Sequence, residues 1–402
     1  MPLSPGIVVA TLRRVAMDGN SAWLENMRVV VADAVVAMGG RLVSLGVREA
    51  HARADVESTV GFDAVVAWGT SAPCAELFVV TVEEATGATE VWRYPDDPAL
   101  PGLATAVNPG AVGAYLATPI VLLEVVSLRP GRRAVVHARG DGIDAHVKVV
   151  PPAATRVIAE RYEAFAAAGV PVPEVMATDE RRGWVVLRTV AGRTLDECLE
   201  SPDAPCPTAT DLWALVESIA PVALEPTVMV TPASLHAARH ARVISRAVPA
   251  LEERVGRVVR ALGGRPSGEW RGTVHGDLHP GQLVVGASGE IVGVLDVDGA
   301  GAGDVLDDIG RLVAHLMVAA ALGRADVQRR GRFAAGLLDA GRARADEQQM
   351  SLRVAASLLA HASGPWRAQA DAWPTETERL VAVAEQVLDH GATAVLRSRR
   401  SP

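Results

Sequence analysis

Apolar residues recur at helical spacing in "SAWLENMRVVVADAVVAM" (residues 21–38). The segments "RLVSLGVREA", "FDAVVAWG", "AELFVVTVEE" and "TEVWRYP" that follow have strand character and are bounded by Gly, Pro, Asp and Ser. This pattern predicts a small α+β module. Five Pro or Gly residues between 98 and 110, in "YPDDPALPGLATAVNPG", read as a linker and set a boundary near residue 112. Beyond it, "TPIVLLEVVSLRP" and "RAVVHAR" predict two strands joined at Pro130-Gly131, and a turn at Gly140-Asp141-Gly142 leads into a third, "HVKVV". In "PAATRVIAERYEAFAAAG" Val157, Ile158, Tyr162, Phe165 and Ala166 share one helical face, and Gly169 supplies the stop. Two more strands in "VPEVMATDERRGWVVLRTVAG" complete a five-stranded antiparallel sheet with one helix. Leu283 to Val285 and Ile291 to Leu295 predict a hairpin around Gly286 and Gly289. The stretches "IGRLVAHLMVAAALG", "RRGRFAAGLLDAG", "MSLRVAASLLAHAS" and "ETERLVAVAEQVLDH" predict helices to about residue 397. The expected class is α+β, in three parts: 1–112, 113–190 and a mainly helical 191–402.

Composition adds a compartment and removes some partners. The 402 residues are 49% hydrophobic and 21% charged, the balance of a globular chain with sizeable cores. Three cysteines, Cys74, Cys198 and Cys206, lack metal-ligand spacing and read as unpaired thiols in a reducing compartment. The start, "MPLSPGIVVATLRRVAMDGN", fits neither a signal peptide nor a membrane span, which predicts a cytoplasmic protein without a membrane partner. A net charge of −8 and the lack of a basic stripe with interleaved aromatics argue against nucleic acid. Residues 1–112 carry 13 acidic and 7 basic side chains and so stand apart chemically.

The positive charges hold one oddity: 38 arginines stand against a single lysine, Lys148, in the apolar strand "HVKVV". Val147, Val149 and Val150 around it make an unpaired ammonium costly, so the position calls for a compact cation among oxygens. More than a hundred residues on, "TVHGDLHPGQLVVGASGEIVGVLDVDGAGAGDVLDDIGRL" (273–312) places Asp277 in a loop, Gln282 five positions later, and Asp296 and Asp298 after the hairpin. Phosphoryl transfer uses such a set, because its transition state spreads charge over oxygens that the protein must position and neutralise. Asp277 suits the base that accepts the acceptor hydroxyl's proton. Gln282 and Asp296 suit the hard oxygen donors that Mg²⁺ prefers.

These residues resemble the aminoglycoside phosphotransferase and choline kinase superfamily, which has the protein-kinase-like fold. The matching pieces are the strand lysine, the "GVPVPEV" step, the hinge-like "VVLRTVAGRTL", the loop "HGDLHPGQ" and "LDVDGAGAGDVLDDIG", from about residue 121 to 312. The resemblance implies a bilobal kinase that moves the γ-phosphoryl group of ATP or GTP to a small-molecule hydroxyl. Lys148 would meet the α- and β-phosphates, and backbone of Arg188 to Val190 the nucleobase. Asp308 would orient the loop, with His275 as structural support and Asp298 as a hydrogen-bond anchor or a further metal-site oxygen; His279 is left open. The superfamily usually has Asn where Gln282 stands, and the Gln form looks like the maltokinase-type branch, which carries an N-terminal cap, as residues 1–112 would be. No G-x-G-x-x-G precedes the lysine strand, so the backbone donor for phosphate falls to Gly131 in "SLRPGRR". The glutamate partner of the lysine should fall near Val157, where Glu160 and Glu163 lie on the face opposite the apolar stripe.

A sugar or amino sugar is the favoured acceptor, on the loop and the cap. A cationic antibiotic such as an aminoglycoside is the alternative, although the acidic residues after 313 are too scattered to form a pocket for it. A catalytically inactive nucleotide-binding regulator is a third reading, and a protein kinase is disfavoured because no Ala-Pro-Glu-like segment follows Asp296. Trp366 could stack on a sugar ring, but reads better as core.

Overall fold

The computed structural model describes residues 7–11, 21–53, 57–83, 86–225, 227–263, 270–323 and 327–398; the rest of the N-terminal stretch read above lies outside them. The first module is a helix, α1 (Ser21–Ala37), with strands β1 (Ile7–Thr11), β2 (Gly40–Arg53), β3 (Glu57–Trp68), β4 (Cys74–Glu83) and β5 (Ala88–Arg93) in the order β1-β5-β4-β3-β2, every pair antiparallel. Trp23, Met27, Val30, Val31, Ala34 and Val35 are the buried stripe of α1. Cross-strand register puts Phe62 opposite Phe78 and lines up Val60, Val80 and Val91, all fully buried.

The expected linker is a pair of helices, α2 (Leu103–Ala106) and α3 (Pro109–Leu116), so the boundary near residue 112 falls within α3. Its prolines and glycines shape caps and close contacts. Asn108 caps α3 by accepting from Ala111 N at 3.0 Å, with Pro109 at the first helical position. Gly102 lies so close to the next sheet that Trp184 Nε1 donates to its carbonyl at 3.0 Å. Leu100, Leu103, Ala106 and Val112 are buried against Ala134, Val136, Ala138, Ala145, Val147, Val149, Trp184 and Val186.

Those partners lie on the expected five-stranded sheet, β6 (Ile120–Arg129), β7 (Arg133–Gly140), β8 (Ile143–Val149), β9 (Val175–Asp179) and β10 (Trp184–Arg188), in the order β6-β7-β8-β10-β9 and antiparallel throughout. Because side chains alternate across a strand, the face covered by α2 and α3 takes Val147 and Val149, and the opposite face takes His146 and Lys148. In register, Lys148 stands between Val135 and Val185.

The two sheets form one compact unit, residues 1–156, 175–188 and 365–373, and residues 157–174, 189–364 and 374–402 form another. The second comprises most of α4 (Thr155–Ala167), then β11 (Arg193–Thr194), α5 (Leu195–Glu200), α6 (Ala209–Ile219), α7 (Ala233–Ala247), α8 (Glu252–Gly263), β12 (Arg271–Val274), β13 (Leu283–Val285), β14 (Ile291–Val294), β15 (Gly301–Asp304), α9 (Val305–Ala321), α10 (Val327–Ala340), α11 (Glu347–His361), most of α13 (Trp373–His390) and α14 (Ala392–Ser398), whereas α12 (Gly364–Arg367) falls almost wholly in the first. Its sheets are small: β11-β13-β14, and the two-stranded β12-β15 that the sequence pattern did not reveal. No described helix is long and apolar enough to cross a membrane.

Candidate active site

Strand β12 delivers the chain into His275-Gly276-Asp277, and its partner β15 runs straight into α9. The pairing thereby sets the loop against the first turns of that helix. Asp308, 1% exposed, accepts from His275 N at 2.7 Å through one oxygen and from Gly276 N at 3.0 Å through the other. One turn on, the buried Arg311 donates to Gly276 O, so the peptides on both sides of Gly276 are held. Gly276 stands at φ +82°, and a Cβ there would come within 3.0 Å of Gly299 O, so the position requires glycine. Asp304 caps α9 by accepting from Leu306 N at 3.1 Å, and Arg353 of α11 pairs with Asp304 and Asp307, which fixes the helix end that presents Asp308. Asp277 itself is exposed.

His275 is fully buried and links the loop to the second carboxylate segment. Its Nε2 donates to Leu295 O at 2.8 Å and its Nδ1 accepts from Asp277 N at 3.2 Å, which fixes the tautomer. The next residue, Asp296, adopts a left-handed backbone, φ 61° and ψ 42°, rare outside glycine. Gln282 Nε2 donates to Asp296 Oδ2 at 3.2 Å, which sets the carboxamide beside the carboxylate. Two adjacent oxygen-bearing groups fit a magnesium ion that keeps most of its shell as water and phosphate. Among the described residues no group of three or more His, Cys, Asp and Glu side chains is arranged to hold a metal. Asp298 O accepts from Arg161 of α4, and Val294 N donates to Pro171 O at 2.7 Å, so the segment after α4 braces the same hairpin.

Asp277, Gln282, Asp296, Asp298, His275, His279 and Asp308 thus come together in one unit. Lys148, Gly131 and Arg188 belong to the other. Lys148 is 4% exposed. The Gly131 N–H, expected to face phosphate, donates to Asp97 Oδ2 at 2.7 Å and ties the β6–β7 turn to the segment before α2. Arg188, at the end of β10, is exposed and registers with Ala145. Val190 is half-buried over Gly293 of β14. Glu160 and Glu163 on α4 are exposed. Trp366 is buried at 7% exposure in the unit of the two sheets. Sequence reasoning missed Arg311 and the histidines of α7, α9 and α11, because no motif joins positions that only helix packing brings together.

The sequence model of the phosphotransferase enzyme family (APH) matches residues 128–382, and the chain belongs to that family. It is a phosphotransferase with the kinase-like α+β fold. Among solved structures, a putative aminoglycoside phosphotransferase from Ralstonia eutropha shares 15% identity, covers 72% of this chain and 98% of its own, and superimposes with a TM-score of 0.51. A choline/ethanolamine kinase family protein from Mesorhizobium loti (15% identity; 74% and 97%; 0.47) and an aminoglycoside-3'-phosphotransferase of type VIII (24%; 58% and 92%; 0.41) are also similar. No curated protein matches the chain.

Proposed function

We propose that this phosphotransferase moves the γ-phosphoryl group of ATP or GTP to a hydroxyl of a sugar or amino sugar, with residues 1–112 as cap, 113–190 as the nucleotide-side lobe and 191–402 as the catalytic lobe. The observation that carries the reading is the loop: an exposed carboxylate, Asp277, on a backbone clamped by Asp308 and Arg311, beside the paired Gln282 and Asp296. In this mechanism Asp277 aligns the acceptor hydroxyl and takes its proton during in-line attack. Gln282 and Asp296 hold Mg²⁺, which supplies charge neutralisation on the phosphates. Lys148 neutralises the α- and β-phosphates from its own sheet, and backbone groups of Arg188 to Val190 meet the nucleobase.

The alternative acceptor is an aminoglycoside or another cationic antibiotic. An inactive nucleotide-binding regulator is the reading from another class. Incubation with ATP and Mg²⁺ across sugars, amino sugars and aminoglycosides, read by mass spectrometry, separates the three. The expected result is a product about 80 mass units heavier that disappears with Asp277→Ala. Nucleotide binding without any product would favour the regulator.

A further inference from the structure

Beside Asp277 the helical unit gathers histidines that the mechanism above does not use. His279, two residues along the loop, stacks on His315 of α9 with ring centroids 4.6 Å apart. His315 meets His361 of α11 edge-on at 4.1 Å. His236 of α7 acts electrostatically on His361 and meets His240 at 4.5 Å; His240 Nδ1 is 2.7 Å from Ser363 Oγ. On two of the helices the rings follow a closed stretch: α9 is buried from Asp308 to Ala314 and half-buried at His315, and α11 is buried from Arg353 to Leu359 and half-buried at Ala360 and His361. His236, His279, His315 and His361 are each half-buried, neither sealed in the core nor fully in solvent.

We propose that His236, His279, His315 and His361 line the acceptor subsite and that it takes an uncharged, hydroxyl-rich molecule, a neutral sugar or polyol, in preference to a polycation. The inference rests on the kinase reading above. An uncharged imidazole has one donor and one acceptor, as a hydroxyl does, and its ring packs against the C–H face of a sugar. Burial holds the His315 ring well below its ordinary range, with His361, His279 and Arg311 adding to it. Burial likewise pushes His361 down to about 4, against the pull of the Asp277 carboxylate. Among the described residues, the charged groups acting most on His279, His315 and His361 include Asp277, Asp296, Asp196 and Arg311. Asp196 pairs with Arg330, and Asp296 is taken up by Mg²⁺ in the mechanism above, so that of these carboxylates Asp277 is the one left to meet ammonium groups, while Arg311 repels them.

The test uses the full chain with ATP and Mg²⁺ and offers glucose, maltose, trehalose and myo-inositol against hygromycin B and choline at equal concentration. The expected outcome is transfer to at least one neutral compound, in preference to either cation. With that acceptor, His315→Ala and His361→Ala each raise the acceptor KM about fivefold to tenfold, the worth of one hydrogen bond, and leave the nucleotide KM where it was. Should the alanine variants melt, His315→Asn and His361→Gln keep a polar group of similar size and are expected to shift the same constant in the same direction. His390→Ala, at the exposed end of α13, is the control that alters neither constant. Preferred transfer to a cation overturns the inference and leaves the kinase reading standing, and so does an acceptor KM unmoved in both histidine variants. Silence on all four neutral compounds also overturns it. If ATP with Mg²⁺ then also fails to raise the melting temperature, the kinase reading falls as well.

Discussion

Asp277 is exposed, whereas His275, Asp308 and Arg311, which hold its loop, are buried. Its loss should therefore cost chemistry and not folding. Asp277→Asn is expected to lower kcat by about 100-fold to 10,000-fold, the usual contribution of a general base, with an unchanged melting temperature; calorimetry beside the transfer assay checks both. Asp296 combines the ligand role proposed for it with a left-handed backbone. Asp296→Gly should abolish Mg²⁺-dependent transfer without lowering the melting temperature, because glycine adopts that backbone without strain. A drop in stability would mean that the carboxylate holds the hairpin as well as the metal. At this scale much of the site was legible. Asp277, Gln282 and Asp296 follow one another in an order that phosphoryl transfer demands, and Lys148 stands out against 38 arginines. Arg311 was not legible, since an arginine in an apolar helical stretch carries no sign of the carbonyl it will meet.

Between elements, the decisive join is that of α9 with the catalytic loop. Asp308→Ala would leave two N–H groups, that of buried His275 and that of half-buried Gly276, without their acceptor. That should cost about 2–4 kcal/mol of stability and lower kcat by misplacing Asp277, as urea unfolding and transfer rates on one preparation would show. The histidines of α9 and α11 tie stability to pH. His361 titrates near 4 in the folded chain, by burial, against an ordinary 6.5. The native state thus refuses a proton that the unfolded chain accepts. Above pH 6.5 the ring is neutral in both states and nothing is lost; as the pH falls toward 4 the unfolded chain alone takes up the proton, and the loss of stability grows to about 3 kcal/mol at 1.36 kcal/mol per unit. Urea melts between these limits should show the loss, and His361→Gln should flatten it. The hairpin β13–β14 and the helices α1, α4, α9, α10, α11 and α13 were readable from periodicity, whereas α2 and α3 read as linker. The pair β12–β15 was not, because "RGTV" and "GAGD" are short, lack alternation, and find their partner across thirty residues.

For the molecule as a whole, the segment read as linker matters most. Proline and glycine are as dense in a flexible tether as in a string of caps and close contacts, and composition cannot tell these apart; burial can, and Leu100, Leu103, Ala106 and Val112 are at most 1% exposed. A Cβ on Gly102 would lie 2.0 Å from Arg182 O and 2.6 Å from Trp184 Nε1. Gly102→Ala is thus expected to destabilise the sheet that carries Lys148 by about 1–3 kcal/mol, as overpacking does, and a chain begun at residue 113 should lack a cooperative melt. A Gly102→Ala protein of wild-type stability would show that this segment can separate from the sheet. Lys148 also gives the molecule a chemical handle. Apart from the α-amine it bears the chain's one primary amine, and burial shields it. An amine-directed reagent small enough to reach it would report on a single interior position. Reductive methylation with ¹³C-formaldehyde would give one side-chain resonance, and its shift on adding ATP would read phosphate occupancy without any enzymatic turnover.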